Sequence, residues 1–287
     1  MTNDFEFTRP GDLQEALQAL AQGGRVVPLA GGTNIMVNLK RVPLEADLVV
    51  DLTGLEELAP ISETNGSVRL GAGVTFAELL EWRPGGAVQG LMHPMCVAFA
   101  GPLIRNLATV GGNVCDASAA ADISPPLLAL DAVAELDSAA RGRRTLPLQE
   151  FFRGVRSTAL RSDELLTAIE FPHPAEDERW FYYKLGKRKA DAISIVSLAM
   201  TVKLEQNKVE QARIALGAVA PVAMRTPETE SLLRGETLNE AVINAAAATA
   251  ARESRPIDDF RATGAYRRQM VEALVRRGLE EISRQNG

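Results

Sequence analysis

PLAGGTNI at residues 28–35 and IRNLATVGGN at residues 104–113 are the two stretches that decide how this sequence is interpreted. Each contains a glycine pair, and without Cβ atoms the backbone N–H groups of such a pair can approach phosphate oxygens closely. Thr33 and Thr109 add a hydroxyl donor beside each pair. The two stretches can jointly hold a pyrophosphate, although a lone Gly-Gly pair is more often a tight turn. Neither matches G-x-G-x-x-G or the P-loop pattern, so a classical dinucleotide-binding fold or an ATPase is not supported.

The composition is that of a globular protein of about two packed domains. The chain has 287 residues, of which 46% are hydrophobic and 24% charged, with a formal net charge of −6. This acidic balance argues against a nucleic-acid backbone or an anionic membrane surface as the main partner, because both bind clustered Lys and Arg. Two cysteines, Cys96 and Cys115, are too few for a disulfide framework, an iron–sulfur cluster or a structural zinc site. Any redox cofactor of this chain is therefore expected to be organic.

The first residues and the apolar stretches indicate where in the cell the protein is expected. Residues 1–7, MTNDFEF, carry acids where a signal peptide carries bases. The longest apolar region, residues 193–202, contains Ser and Thr and is far shorter than the roughly 20 residues of a membrane helix. We therefore expect a cytoplasmic protein with no membrane span.

Capping residues and periodic apolar positions predict a mixture of helices and short strands in the first part of the chain. Asp12 and Glu15 form a capping box for a first helix, and Thr75 with Glu78 starts another. Ser124, followed by Pro125, is predicted to cap a third. Strands are predicted at residues 26–30, 48–52, 68–72, 132–136 and 165–171, with a turn at 141–144 between the last two.

Residues 172–178, PHPAEDE, are the best candidate for a domain boundary, because two prolines and three acids cannot continue a strand or build a core. The predicted division is 1–175 and 178–285. After it come predicted strands at 180–185, 194–204 and 209–219. Two helices then complete the chain, one alanine-rich at about 239–252 and one carrying Tyr266, Met270, Leu274 and Val275. The fold class is α+β.

The two glycine stretches, in this order and at this separation, resemble those of the FAD-binding medium subunit of the molybdenum hydroxylases. This family includes carbon monoxide dehydrogenase and bacterial xanthine dehydrogenase. The resemblance covers nearly the whole chain, and it is also carried by Phe99-Ala100-Gly101, residues 183–188 (YKLGKR), Arg261-Ala262 and Tyr266-Arg267-Arg268. It implies a two-lobed PCMH-type FAD-binding domain, followed by a smaller domain with a three-stranded antiparallel sheet and helices.

The resemblance also implies which residues contact FAD. The first loop, around the pyrophosphate, would be Pro28, Leu29, Ala30, Gly31, Gly32, Thr33, Asn34 and Ile35. The second loop would be Thr109, Gly111, Gly112 and Asn113. Phe99 would pack beside the cofactor, Asp122 would reach a cofactor hydroxyl or ring edge, and Leu166 and Lys184 would lie near the isoalloxazine. There the Lys184 ammonium would favour the anionic reduced flavin by Coulomb attraction. Ile193 would limit access to one ring face.

The sequence departs from the family pattern at two points. Asn34 stands where the family often has aspartate, and Ser118-Ala119 where it has Ser-Pro. With two cysteines in the chain, the additional iron–sulfur loop of some relatives is not expected.

The resemblance implies an oxidoreductase subunit that needs no catalytic nucleophile or base and no metal of its own. Substrate would be oxidised at a molybdenum cofactor in a large subunit, and two [2Fe-2S] clusters of a small subunit would pass electrons to FAD. The final acceptor would be NAD, a quinone or dioxygen. Two alternatives stay open: a self-contained flavin oxidase or reductase, and an assembly subunit that has lost the cofactor.

Several residues have simpler interpretations. His93 and His173 are well separated, which argues against a metal site or a Ser-His-Asp triad. Cys115 is more often a small buried thiol than a redox group. Asp122 can equally cap the helix at Ser124. The basic run at residues 187–189 is either an exposed edge or a contact for FAD phosphates or an acidic partner.

Overall fold

A small parallel sheet begins the chain, which the computed structural model describes over residues 5–64, 66–188 and 191–285. Its strands, in the order β1-β3-β2, are β1 (Glu6–Thr8), β2 (Val26–Leu29) and β3 (Leu48–Asp51). The helices that accompany them are α1 (Leu13–Leu20) and α2 (Ile35–Leu39). Asp12 caps α1 as predicted, but the Glu15 carboxylate accepts a hydrogen bond from the N–H of Gly11 and not from that of Asp12. Residues 1–4, which begin the acidic start, and Lys189 of the predicted basic run lie outside the described residues.

An antiparallel sheet in the order β4-β5-β10-β6-β7 follows. Its strands are β4 (Ile61–Thr64), β5 (Ser67–Gly71), β6 (Val133–Ser138), β7 (Gly142–Pro147) and β10 (Leu165–Pro172), and the hairpin of β8 (Phe152–Gly154) and β9 (Ser157–Thr158) precedes the last. The prediction of residues 141–144 as a turn alone was wrong. Gly142 turns the chain with φ +67°, but Arg143 and Arg144 already belong to the edge strand β7, where they pair with Asp137 and Glu164.

Between residues 76 and 151 the chain forms several helices, and all of them except the short one at Pro102–Arg105 pack with this sheet into one core. They are α3 (Phe76–Glu81), α4 (Gly86–Ala98), α5 (Pro102–Arg105), α6 (Val110–Cys115), α7 (Ser124–Ala129) and α8 (Leu148–Phe151). Thr75 and Glu78 form the predicted capping box of α3. The predicted cap at Ser124 was wrong, because Ile123 is the N-cap of α7. Pro125 and Pro126 have no N–H that the Ser124 hydroxyl could accept from.

A second antiparallel sheet, in the order β11-β12-β13-β14, fills the rest of the chain together with three helices of the described part. The elements are β11 (Arg179–Gly186), β12 (Ser194–Glu205), β13 (Lys208–Gly217), β14 (Met224–Arg225), α9 (Pro227–Leu233), α10 (Glu240–Glu253) and α11 (Gly264–Arg284). The expected three-stranded sheet thus has a fourth strand, which at two residues is too short for a periodic signal. The short helix α9 was also not predicted from the sequence.

Strand β12 is buried on both faces over Ser194–Val202, which explains the apolar region at residues 193–202. Val196, Leu198 and Met200 pack with the core of α10 and α11, whereas Ala199 belongs to the core that contains α7. The sheet is therefore covered by the C-terminal helices on one side and by the first part of the chain on the other. Among the described residues, no helix combines the length and apolar character needed to cross a bilayer.

Charged pairs reinforce this junction. Asp131, which follows α7 with φ +53°, accepts hydrogen bonds from both Arg213 and Arg225. Arg213 also pairs with the buried Glu178 at 2.7 Å, and Arg225 with Glu230 at 2.5 Å. Except for Asp131, these side chains are mostly shielded from water, so the Glu178 and Glu230 carboxylates depend on their guanidinium partners.

Arg267 of the Tyr-Arg-Arg string is a buried cation that joins α11 to the sheet. Its Nη1 donates to the carbonyl oxygens of Ile195 at 2.7 Å and Ala218 at 2.9 Å, and its Nη2 to Asp259 Oδ1 at 2.8 Å. The pKa of Asp259 lies below its usual value. Partial burial raises this pKa, but the hydrogen bonds from the backbone N–H groups of Arg261 and Ala262 and the charge of Arg267 lower it by more. Within the described structure this arginine of the family string has a structural role.

We expect Arg267→Met to lower the free energy of unfolding by about 3 kcal/mol, because Asp259 and two carbonyl groups lose a charged donor. The matched control is Arg268→Met, since Arg268 is exposed on the same helix and should change stability by less than about 0.5 kcal/mol. Urea unfolding followed by circular dichroism measures both. Equal stability of the two variants would contradict this role.

Candidate functional site

The two glycine stretches touch through their backbones. An ideal Cβ built on Gly31 would lie 1.6 Å from the carbonyl oxygen of Leu107, far inside any real contact. No residue with a side chain fits there without moving one of the two segments. The close approach of the first loop (residues 28–35) and the stretch 104–113 is therefore a property of Gly31 itself.

The second loop (residues 109–113) is fixed to the chain directly after β5. The N–H of Gly111 donates to the carbonyl oxygen of Ala72 at 2.8 Å, and a Cβ at Gly111 would lie 2.7 Å from Ala72 Cβ. Thr109 caps α6, with its Oγ1 accepting from the N–H of Gly112 at 3.0 Å, and the N–H of Asn113 donates to the Thr109 carbonyl at 3.0 Å. The amides of the three predicted residues at 111–113 are thus used inside the protein.

The first loop differs, because its amides are available. Gly32 turns the chain with φ +67° just before α2 begins. Within the described part of the chain, no acceptor pairs with the backbone N–H groups of Gly31, Gly32, Thr33 and Asn34. Consecutive free N–H groups beside glycines form a concave donor surface suited to an anion. It is flanked by Pro28 and Leu29 of β2, by Ala30 directly after this strand and by Ile35 of α2.

The side chain of Asn113 offers a further polar group. Its Oδ1 is buried, yet no donor among the described residues reaches it. Buried polar atoms are nearly always hydrogen-bonded, so an unpaired oxygen beside a glycine loop indicates a missing partner.

Arg105, the last residue of α5, binds the turn that begins at Phe99. Its Nη1 donates to the carbonyl oxygens of Phe99 at 2.9 Å and Ala100 at 2.7 Å, where Ala100 has φ +35°. The half-buried Phe99 ring stacks on Phe76 with centroids 3.9 Å apart. Arg105, a residue of the string IRNLATVGGN, thus fixes this turn through its guanidinium.

Asp122 and Lys184 form a buried ion pair, with Lys184 Nζ 2.8 Å from Asp122 Oδ2. Nζ also donates to the carbonyl oxygen of Ala98 at 2.9 Å, and the Ser194 hydroxyl donates to Asp122 Oδ1 at 2.9 Å. Burial raises the pKa of Asp122, although Lys184 and Ser194 counteract part of that rise. The alternative role of Asp122 as a helix cap was wrong, because Ile123 is the N-cap of α7 and no side chain in the described part of the protein accepts a hydrogen bond from the first turn of this helix. The Lys184 ammonium is likewise not an isolated charge, so its attraction for an anion is largely balanced.

A cleft of about 500 Å³ lies beside this pair. It is lined by Pro94 and Ala98 of α4 and by residues 182–188 of β11 and the following turn, and Lys184 is part of its wall. The basic residues at its edge are engaged, since Lys187 Nζ donates to the carbonyl of Phe260 at 2.8 Å and Arg188 to that of Asp191. Ile193 is 54% exposed.

The structure therefore groups most of the predicted residues. Both loops and Phe99 are joined through residues 99–113, and Asp122 and Lys184 meet beside the carbonyl of Ala98, the residue before Phe99. Leu166 does not join them in the cleft, because it is 2% exposed in β10 and packs in the core. Ser194 was missed, since a serine at the start of an apolar strand carries no motif.

The two cysteines of the described chain are poor redox candidates. Burial raises the pKa of both the Cys96 and the Cys115 thiol to about 12. The protonated thiol is a weak nucleophile at neutral pH, which favours the interpretation of both as small core residues.

Two family models match the chain. The FAD binding domain in molybdopterin dehydrogenase matches residues 3–174, and the CO dehydrogenase flavoprotein C-terminal domain matches residues 181–282. Together they cover both parts of the fold described above.

Curated relatives and solved structures agree with these models. The chain is 31% identical to the xanthine dehydrogenase FAD-binding subunit of Escherichia coli O157:H7, over 97% of this chain and 96% of that one. It is 30% identical to the glyceraldehyde dehydrogenase medium chain of Sulfolobus acidocaldarius, over 98% and 99%. A chain of Cu,Mo-CO dehydrogenase in its cyanide-inactivated form superposes with a TM-score of 0.92 at 28% identity, over 99% of both chains. By sequence and by fold, this chain belongs to the FAD-binding subunits of the molybdenum hydroxylase family.

Proposed function

We propose that this chain carries FAD as the electron-transfer subunit of a multi-subunit molybdenum hydroxylase in the cytoplasm. Residues 1–175 would form the FAD-binding domain and residues 178–285 the C-terminal flavoprotein domain. The observation that carries the proposal is the contact between the two glycine stretches, with the free amides of the first loop beside it.

The first loop fits a pyrophosphate. Gly31 and Gly32 leave the backbone open, and the N–H groups of residues 31–34 need an acceptor that the described protein does not supply. Hydrogen bonds from backbone N–H groups to charged oxygens are stronger than neutral ones. The Thr33 hydroxyl adds one more donor to this set.

The second loop fits a different part of the cofactor. Its amides at 111–113 are occupied, so Asn113 can contribute only its side chain, and Thr109 can contribute its hydroxyl. The Thr109 hydroxyl accepts from Gly112 and keeps its own proton to donate. Asn113 Oδ1 needs a donor, which a cofactor hydroxyl can provide. Gly111 and Gly112 then act by allowing close packing.

The cleft beside Lys184 is the proposed place of the isoalloxazine. Lys184 and Ala98 line this cleft, and Phe99 follows Ala98 along the chain. Leu166 lies in the same core as Val110 and Val114 of α6. FAD, when bound, supplies redox chemistry that accepts electrons singly and releases a pair. The residues of this chain bind and orient it, and they exclude water from the buried ion pair.

The proposed partners are an iron–sulfur small subunit and a large subunit with the molybdenum cofactor. Support comes from relatives that are described as subunits or medium chains, among them the carbon monoxide dehydrogenase medium chain of Hydrogenophaga pseudoflava. Electrons would enter from [2Fe-2S] clusters and leave to NAD, a quinone or dioxygen. A self-contained flavin oxidase is less well supported, because Lys184 beside the cleft is already engaged with Asp122.

Thr33→Asp is expected to weaken FAD binding at least roughly tenfold relative to Thr33→Asn, because a carboxylate at the first loop repels the pyrophosphate and competes for its amides. The two variants have nearly the same shape and both lose the hydroxyl. Fluorescence titration of the apoprotein with FAD measures the difference. Equal affinities would contradict the placement of the pyrophosphate on this loop.

The complex isolated through a tag on this chain from its own cells is expected to contain molybdenum and about four iron ions per FAD, as two [2Fe-2S] clusters require. Elemental analysis and flavin absorbance give these ratios. A preparation that holds FAD but neither metal, while it still oxidises a substrate, would favour the self-contained flavin enzyme.

A further inference from the structure

Ser194 has a position that the function described so far does not use. It is the first residue of β12, is fully buried and donates its hydroxyl hydrogen to Asp122 Oδ1 at 2.9 Å. Its neighbour Asp122 lies just before α7, and Lys184 lies on β11. Three separate elements therefore meet in one hydrogen-bonded cluster, which we call the Ser194 cluster: Asp122, Lys184, Ser194 and the carbonyl of Ala98.

Within this cluster, one N–H donor of the Lys184 ammonium has no acceptor. Asp122 uses Oδ1 for Ser194 and Oδ2 for Lys184. An ammonium has three N–H groups, and Lys184 spends two of them, on Asp122 and on the carbonyl of Ala98. The lysine forms part of the cleft wall, yet its side chain is only 5% exposed. The cluster thus holds the ammonium at the cleft with a single donor uncommitted.

We propose that Ser194 is a positioning residue for the cofactor: it fixes the Asp122 carboxylate so that Lys184 presents one N–H donor to an acceptor atom of the flavin ring. The inference rests on the proposed FAD function and assigns a residue outside both glycine stretches to it. Without the hydroxyl, Oδ1 of Asp122 is left unpaired in a dry environment, and the carboxylate is free to rotate away from Lys184.

Few titratable groups lie close enough to Asp122 to influence whether its carboxyl group is ionised. From β11 it is faced by Lys184 and by Tyr182, whose hydroxyl is buried without a partner in the described chain. From α4, Cys96 faces Tyr182, and burial keeps this thiol protonated. The Ser194 hydrogen bond stabilises the ionised carboxylate, so its removal raises the pKa of Asp122 further. As the pH falls, Asp122 is then protonated, and the ion pair lost, at a higher pH. A role limited to packing would not shift a pH profile in this way.

The test compares Ser194→Ala with Ser197→Ala in FAD titrations of the apoprotein from pH 5 to pH 9. Ser197 is the matched control, because it is buried on the same strand and its hydroxyl has no partner in the described structure. Ser194→Ala should weaken FAD binding roughly tenfold at pH 7 and shift the acid limb of binding to higher pH. Ser197→Ala should leave both unchanged. Thermal unfolding without FAD separates these effects from loss of the fold.

A second background tests the route through Lys184. In a Lys184→Met protein, adding Ser194→Ala should cause no further loss of FAD affinity, because the donor that Ser194 positions is already absent. If Ser194→Ala does not fold, Ser194→Cys keeps a side chain of similar size with only a weak donor and takes its place. Independent, additive losses in the two backgrounds would overturn the inference.

The failure of this inference is distinguishable from that of the proposed function. If the wild-type protein binds FAD while Ser194→Ala and Ser197→Ala bind it equally at every pH, the positioning role is wrong and the FAD function stands. If the wild-type protein does not bind FAD at all, both are wrong.

Discussion

The contact between the backbone of Gly31 and the carbonyl of Leu107 is the constraint on which the site depends. It holds because position 31 has no Cβ, and it brings residues 28–35 against residues 104–113. The same device at Gly111 sets the second loop against Ala72. The outcome is asymmetric: the amides of residues 111–113 in the second loop are hydrogen-bonded within the protein, whereas those of residues 31–34 in the first loop remain available for an anion.

Much of the fold was predictable because its signals are local. Side-chain caps fix the starts of α1 and α3, and apolar periodicity marks the long strands. The errors arose where local patterns are ambiguous or short. Arg143 and Arg144 looked like a turn but sit on an edge strand with carboxylate partners, and β14 has only two residues. Contacts with residues that are distant in the sequence define such elements, and the apolar periodicity of the sequence carries no information about these contacts.

The site was predictable in its residues but not in its contacts. Resemblance named Asp122 and Lys184 as cofactor ligands, and the structure adds that they form an ion pair in which Asp122 also accepts a hydrogen bond from Ser194. A serine that begins an apolar strand has no motif, because its importance comes from a residue 72 positions earlier in the chain. The sequence also did not predict that Leu166 is buried, since an apolar residue in a strand is equally compatible with a core position and with a place beside a cofactor.

The most direct measurement of the central claim is a titration of the apoprotein with FAD and, in parallel, with FMN, followed by the visible spectrum of the desalted protein. Free amides at the first loop predict that FAD is retained at one per chain with flavin absorbance, and that FMN, which lacks the pyrophosphate, binds much more weakly. A protein that stays colourless with FAD, or that binds FMN equally well, would contradict the account.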